Sequence, residues 1–68
     1  MFDNLKIVPS PNLKIYQDKK SEWRWNIKVN GEIIGASTEG YINRKDCVDN
    51  IINLRKKLEY CEKNNLLV

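Results

Sequence analysis

The chain contains no histidine, and that absence alone removes a good deal of chemistry. Histidine is the side chain whose charge changes nearest neutral pH, the commonest general base and the commonest metal ligand. The two cysteines therefore have no imidazole to activate or accompany them, and neither a nucleophile–base pair nor a metal site is expected. No apolar run approaches the roughly 18 residues that a membrane span requires. Met1 to Pro11 lacks a positive cluster followed by an apolar stretch, so a secretory signal is not expected and a cytoplasmic location is. There is no internal repeat and no low-complexity segment. The segment Ser37-Thr38-Glu39-Gly40-Tyr41 lacks the glycine pattern and terminal lysine of a phosphate loop, and reads as a strand-to-helix connection.

What is present describes one small domain. The chain has 68 residues, 41% of them hydrophobic and 31% charged, ordinary values for a soluble fold. A domain of this size leaves roughly 40% of its unfolded-chain surface exposed, so its core is thin and self-association is expected. Twelve Lys and Arg against nine Asp and Glu give a net charge of +3. The basic residues are scattered from Lys14, Lys19 and Lys20 to Arg55, Lys56 and Lys57, whereas nucleic-acid binders concentrate their charge. They read first as solvated surface.

Residues 1–12 form an extended arm, with an apolar patch at Leu5 to Val8 followed by Pro9-Ser10-Pro11. From Leu13 the apolar pattern has a period of two. Leu13 to Asp18 makes one strand and Glu22 to Val29 a second, the latter with Trp23, Trp25, Ile27 and Val29 on one face. Asn30-Gly31 is the preferred pair for a two-residue type I′ turn, and a third strand follows from Glu32 to about Thr38. The turns set the register. The three-residue loop Lys19-Lys20-Ser21 places Gln17, Ile15 and Leu13 opposite Trp23, Trp25 and Ile27. The Asn-Gly turn, without interruption, places Ile34, Ala36 and Thr38 opposite Ile27, Trp25 and Trp23. The opposite, polar face then holds Lys14, Tyr16, Arg24, Asn26, Lys28, Ile33, Gly35 and Ser37.

A helix is predicted from Arg44 to about Glu62, with Asn43 as N-cap and Asp46 in the first turn. Its apolar stripe is Cys47, Val48, Ile51, Ile52, Leu54, Leu58 and Cys61, and its polar remainder includes Asp49, Asn50, Asn53, Lys56 and Lys57. Fourteen residues of helix separate the cysteines by about 21 Å, too far for a disulfide, and both are expected to be buried thiols. Asn64-Asn65 ends the helix and leaves residues 64–68 as a short apolar tail. The fold class is α+β, a three-stranded antiparallel meander packed on one C-terminal helix, with residues 13–63 as the domain. The predicted core is Leu13, Ile15, Trp23, Trp25, Ile27, Ile34, Val48, Ile51, Leu54 and Leu58. Lys14, Tyr16, Arg24, Asn26 and Lys28 are the candidate ligand or partner face, with Tyr16 beside Arg24. Asn30 and Gly31 are the structural turn. No catalytic, cofactor-binding or metal-binding residue is identified.

Three segments together resemble the YegP-like family of small uncharacterised proteins: Lys14-Ile15-Tyr16-Gln17-Asp18-Lys19-Lys20-Ser21-Glu22-Trp23-Arg24-Trp25, Asn30-Gly31-Glu32-Ile33-Ile34, and Ser37-Thr38-Glu39-Gly40-Tyr41. The resemblance covers about Leu13 to Leu58. It implies a strand-strand-strand-helix-strand unit, occurring in tandem or as single units that pair into one continuous sheet and exchange C-terminal strands. One unit here implies a homodimer, its exchanged strand drawn from the tail Leu66 to Val68. Ser21 stands where the family often has glycine, at the left-handed position expected in that loop. The resemblance brings no activity, cofactor or catalytic residue. The expected function is a small non-enzymatic interaction module, partnered by itself and by other proteins and not by membranes. The alternative is a weakly basic accessory protein binding nucleic acid or another polyanion through the polar sheet face.

Overall fold

The computed structural model describes residues 10–67 of the chain. The predicted arm lies outside the described residues as far as Pro9, and Asn12 already belongs to the sheet. Strand β1 spans Asn12–Gln17, β2 Trp23–Val29 and β3 Glu32–Ala36, and helix α1 spans Arg44–Lys63. The sheet is antiparallel in the order β1-β2-β3, and the helix meets it chiefly through the central strand. This is the expected α+β meander with one C-terminal helix. Residues 64–67 form no strand.

The first hairpin has the register that the three-residue loop dictates: Leu13 opposite Ile27, Ile15 opposite Trp25, Tyr16 opposite Arg24 and Gln17 opposite Trp23. Its loop closes through Asp18, whose amide donates to the Glu22 carbonyl at 2.9 Å and whose carbonyl accepts from Ser21 at 3.0 Å. Ser21 has φ +63°, the left-handed residue that ends such loops. The second turn has φ +54° at Asn30 and +81° at Gly31, as type I′ requires.

Beyond that turn the third strand departs from expectation. Lys28 faces Ile33, but Ile27 faces Gly35, so Ile34 is an extra residue in a β-bulge. Ile34 therefore leaves the predicted core and is 62% exposed, while Ala36 moves opposite Asn26. The reason is volume. A Cβ at position 35 would stand 3.1 Å from Ile27 Cγ2 and 3.9 Å from the Trp25 ring, so the residue beside these two side chains is the one that has none. Ser37 takes the place opposite Trp25: its amide donates to the Trp25 carbonyl at 2.9 Å, and its Oγ accepts from the Trp25 amide at 3.2 Å. Trp23 pairs with Tyr41 rather than Thr38, through N–H···O bonds of 2.7 and 2.9 Å. That bridge draws Gly40 against Glu22, where a Cβ would lie 2.7 Å from the Glu22 Cβ.

The helix starts at Arg44 as predicted and runs one residue beyond Glu62. Asn43 holds the N-cap position but makes no side-chain cap; its Nδ2 donates to Asp46 Oδ2 at 3.4 Å instead. At the far end Asn65 is left-handed (φ +56°), and Leu66 N donates to Cys61 O at 2.8 Å, the six-to-one bond of a Schellman motif. Among the described residues only two hydrophobic ones are fully buried, Trp25 at 6% and Cys47 at 0% exposure. Trp23, Ile15, Ile27, Val48 and Ile51 are half-buried, as is Cys61 against expectation. Leu13, Leu54 and Leu58 were expected in the core and are exposed. Length explains the last two: 20 helical residues span about 30 Å and seven strand residues about 23 Å, so the helix outruns the sheet beneath it.

Gly31→Ala puts a Cβ at φ +81° in open space, so the strain is of the backbone alone. The expected loss is about 1 kcal/mol or more, read from the denaturation midpoint. An unchanged midpoint would contradict the turn assignment.

Candidate functional site

Alternation along β1 and β2 brings all five residues of the predicted polar face together. Lys14 is opposite Asn26, Tyr16 opposite Arg24, and Lys28 opposite Asn12. Lys14 and Lys28 are exposed; Tyr16, Arg24 and Asn26 are half-buried. The Lys14 ammonium lies 5.9 Å from the Tyr16 ring centroid, within cation–π range. Asn26 Oδ1 is shielded from solvent and has no hydrogen-bond partner.

Arg24 is not free to receive a ligand carboxylate or phosphate with its whole charge. Its Nε donates to Asp18 Oδ2 at 2.6 Å, while Asp18 Oδ1 accepts from the amides of Lys20 (2.8 Å) and Glu22 (3.0 Å). One carboxylate thus ties the loop to the strand. The Arg24 hydrogen bond first, then those amides, holds the Asp18 carboxyl below the usual carboxylate range, and Asp18 in turn raises Arg24. The sequence offered a signal here, since Asp at the head of a three-residue loop commonly binds the amide two residues on.

On the helix side, the Trp25 indole N–H donates to Asn50 Oδ1 at 2.7 Å. The sequence pattern places Asn50 on the outward polar surface. Its spacing says otherwise, three residues after Cys47 and four before Leu54, in line with the apolar stripe. Arg44 stands 6.0 Å from the Trp23 ring, a second cation–π contact at the start of the helix. Burial pushes the Cys47 thiol up, away from the reactive thiolate. No group of three potential metal-ligating side chains occurs among the described residues, and none of their helices is long and apolar enough to cross a membrane.

An apolar groove of about 490 Å³ lies between the sheet and the C-terminal half of α1. Trp25 and Ile27 contribute from the sheet, Leu54 and Leu58 from the helix, and Leu67 from the tail; Arg55, Glu59 and Glu62 complete its lining. The sequence pattern places most of these apolar side chains in a closed core; Trp25 is buried there, but Leu54 and Leu58 face open space.

A family model described as a domain of unknown function, DUF1508, matches residues 18–58, well over half of the chain. The chain belongs to this family. It is the YegP-like family that the sequence resembled. The matched DUF1508 segment begins at Asp18 and ends at Leu58, so it contains the loop carboxylate, the bulged hairpin, the Gly40–Tyr41 bridge and the helix as far as Leu58, while Leu13, Glu59, Glu62 and Leu67 of the groove lie outside it. No curated protein and no solved structure matches the chain.

Two outcomes test this geometry. Trp25→Ala is expected to cost about 3–5 kcal/mol, comparable to the whole stability of so small a domain. Asn50→Ala, which leaves the indole N–H without its acceptor, is expected to cost about 1–3 kcal/mol. Both are read by denaturant titration of Trp fluorescence, and an unchanged Asn50→Ala midpoint would contradict the tie. The structure fixes the direction in which Asp18 titrates. Because its folded pKa is depressed, its stabilisation is present above the usual carboxylate range and is lost as pH falls through the lowered pKa. Amide shifts of Lys20 and Glu22 followed against pH should move at a midpoint below that of an unperturbed aspartate. Asp18→Asn should abolish that transition.

Proposed function

We propose that the protein is a small non-enzymatic interaction module that works as a homodimer in the cytoplasm. The observation that carries this reading is the incomplete core: two fully buried hydrophobic residues among the described ones, beside an open apolar groove and a third strand with exposed Ile33 and Ile34. A three-stranded sheet with one helix is marginal by itself, and an apolar edge that no described strand pairs invites a further strand. Pairing of two units covers such surfaces without any new chain. The family resemblance supports the same assembly, with the two sheets continuous and the C-terminal tails exchanged.

The polar sheet face supports polyanion binding less well. Asp18 neutralises Arg24, Lys14 lies over Tyr16, and the remaining cations do not form a concentrated patch. An enzyme is disfavoured by the same inventory: no histidine, a buried thiol that burial holds away from the thiolate, and a groove whose only polar lining among the described residues is Arg55, Glu59 and Glu62.

Sedimentation equilibrium of the full-length chain at micromolar concentration should give twice the 8.0 kDa chain mass, falling toward it on dilution. A concentration-independent monomer would overturn the homodimer. Binding to single- or double-stranded nucleic acid that weakens steeply with salt would favour the polyanion reading instead.

A further inference from the structure

The groove opens at the end of the sheet where the chain enters it. Asn50 is tied to Trp25, and from there the helix runs on past Ile27 and Leu13, which line the groove together with Leu54 and Leu58. Leu13 is the second residue of β1, so the residues that precede β1 leave the sheet beside the groove. Those residues include one apolar run, Leu5-Lys6-Ile7-Val8, joined to Leu13 by Pro9, Ser10, Pro11 and Asn12. At about 3.3 Å per extended residue, Val8 can stand anywhere within about 16 Å of Leu13. The open stretch of the helical wall, Leu54 to Glu62, is about 12 Å long at a rise of 1.5 Å per residue. The arm reaches all of it.

The chemistry of the two surfaces also matches. In an extended segment Leu5 and Ile7 share one face and Lys6 takes the other. Two apolar side chains can therefore enter the groove at exposed Leu54 and Leu58 while the Lys6 ammonium stays at the rim. That rim is acidic on balance, with Glu59 and Glu62 against Arg55.

We infer that the groove is the docking site of the chain's own N-terminal arm, with Leu5 and Ile7 against Leu54 and Leu58 and with Lys6 beside Glu59 and Glu62. So short a tether gives the arm an effective concentration on the order of millimolar, and a modest apolar contact is enough to hold it. The C-terminal tail takes no part in the contact, which is the same whether the tails stay or are exchanged. Nor does the contact rest on the homodimer reading, since the arm completes the core of one protomer and leaves Ile33 and Ile34 of β3 exposed.

Isotope-filtered NOE spectroscopy on the full-length chain, with labelled and unlabelled copies mixed, reads the contact directly. Cross-peaks are expected within one chain, from the methyls of Leu5 and Ile7 to those of Leu54 and Leu58. Their absence, or their appearance only between chains, would overturn the inference. A double-mutant cycle gives a second reading. Ile7→Ala and Leu58→Ala should each lower the denaturation midpoint, and the loss in the double variant should fall short of the sum of the two. Strictly additive losses, or a midpoint that Ile7→Ala leaves unchanged, would refute the docking. Sedimentation of the same samples separates the arm from the homodimer. A monomer with the intrachain cross-peaks keeps the arm in its groove and loses the homodimer, and a dimer without them does the reverse.

Discussion

The indole of Trp25 sets conditions that the rest of the molecule meets. Its ring occupies the space beside Ile27, so the neighbouring strand presents Gly35 there and expels Ile34 into a bulge. Its ring N–H, removed from water, needs an acceptor, which Asn50 supplies from the helix at 2.7 Å. Its backbone N–H and C=O are met by Ser37, the residue the bulge brings into line. Sheet, connection and helix are thereby joined through one residue.

The bulge has effects beyond the third strand. With one residue consumed, the chain leaves the sheet earlier and returns at Tyr41 to pair with Trp23. Gly40 is what permits that return beside Glu22. The return in turn sets where α1 begins, and its first turns are the ones held over the central strand by Cys47 and Asn50. Among the described residues no strand lies beneath the later turns. The apolar groove is thus a consequence of a helix longer than its sheet.

At the opposite end of the hairpin, Asp18 performs a local version of the same task. Three donors converge on one carboxylate, and the loop needs no glycine at Ser21 because hydrogen bonds hold it closed. The price is the charge of Arg24, which leaves the polar face of the sheet less basic than its composition suggests.

Strand order, both turns, the first hairpin register and the extent of the helix were legible in the sequence, because each depends on neighbours in the chain. Alternation marks the strands, Asn30-Gly31 accepts two positive φ values that few pairs tolerate, and the three-and-four spacing from Cys47 to Cys61 marks a helical face. The family was legible for the same reason, carried by contiguous segments. Burial was not. Whether Leu54, Leu58 and Leu13 lie in a core or on an open groove depends on what stands opposite them, and helix length against strand length decided it. The bulge at Ile34 and the tie from Trp25 to Asn50 also lay beyond local pattern. Both arise where one large ring must be accommodated by residues 10 and 25 positions away in the chain. Local spacing determined the elements, and the volume and hydrogen-bonding demand of that ring decided how they fit.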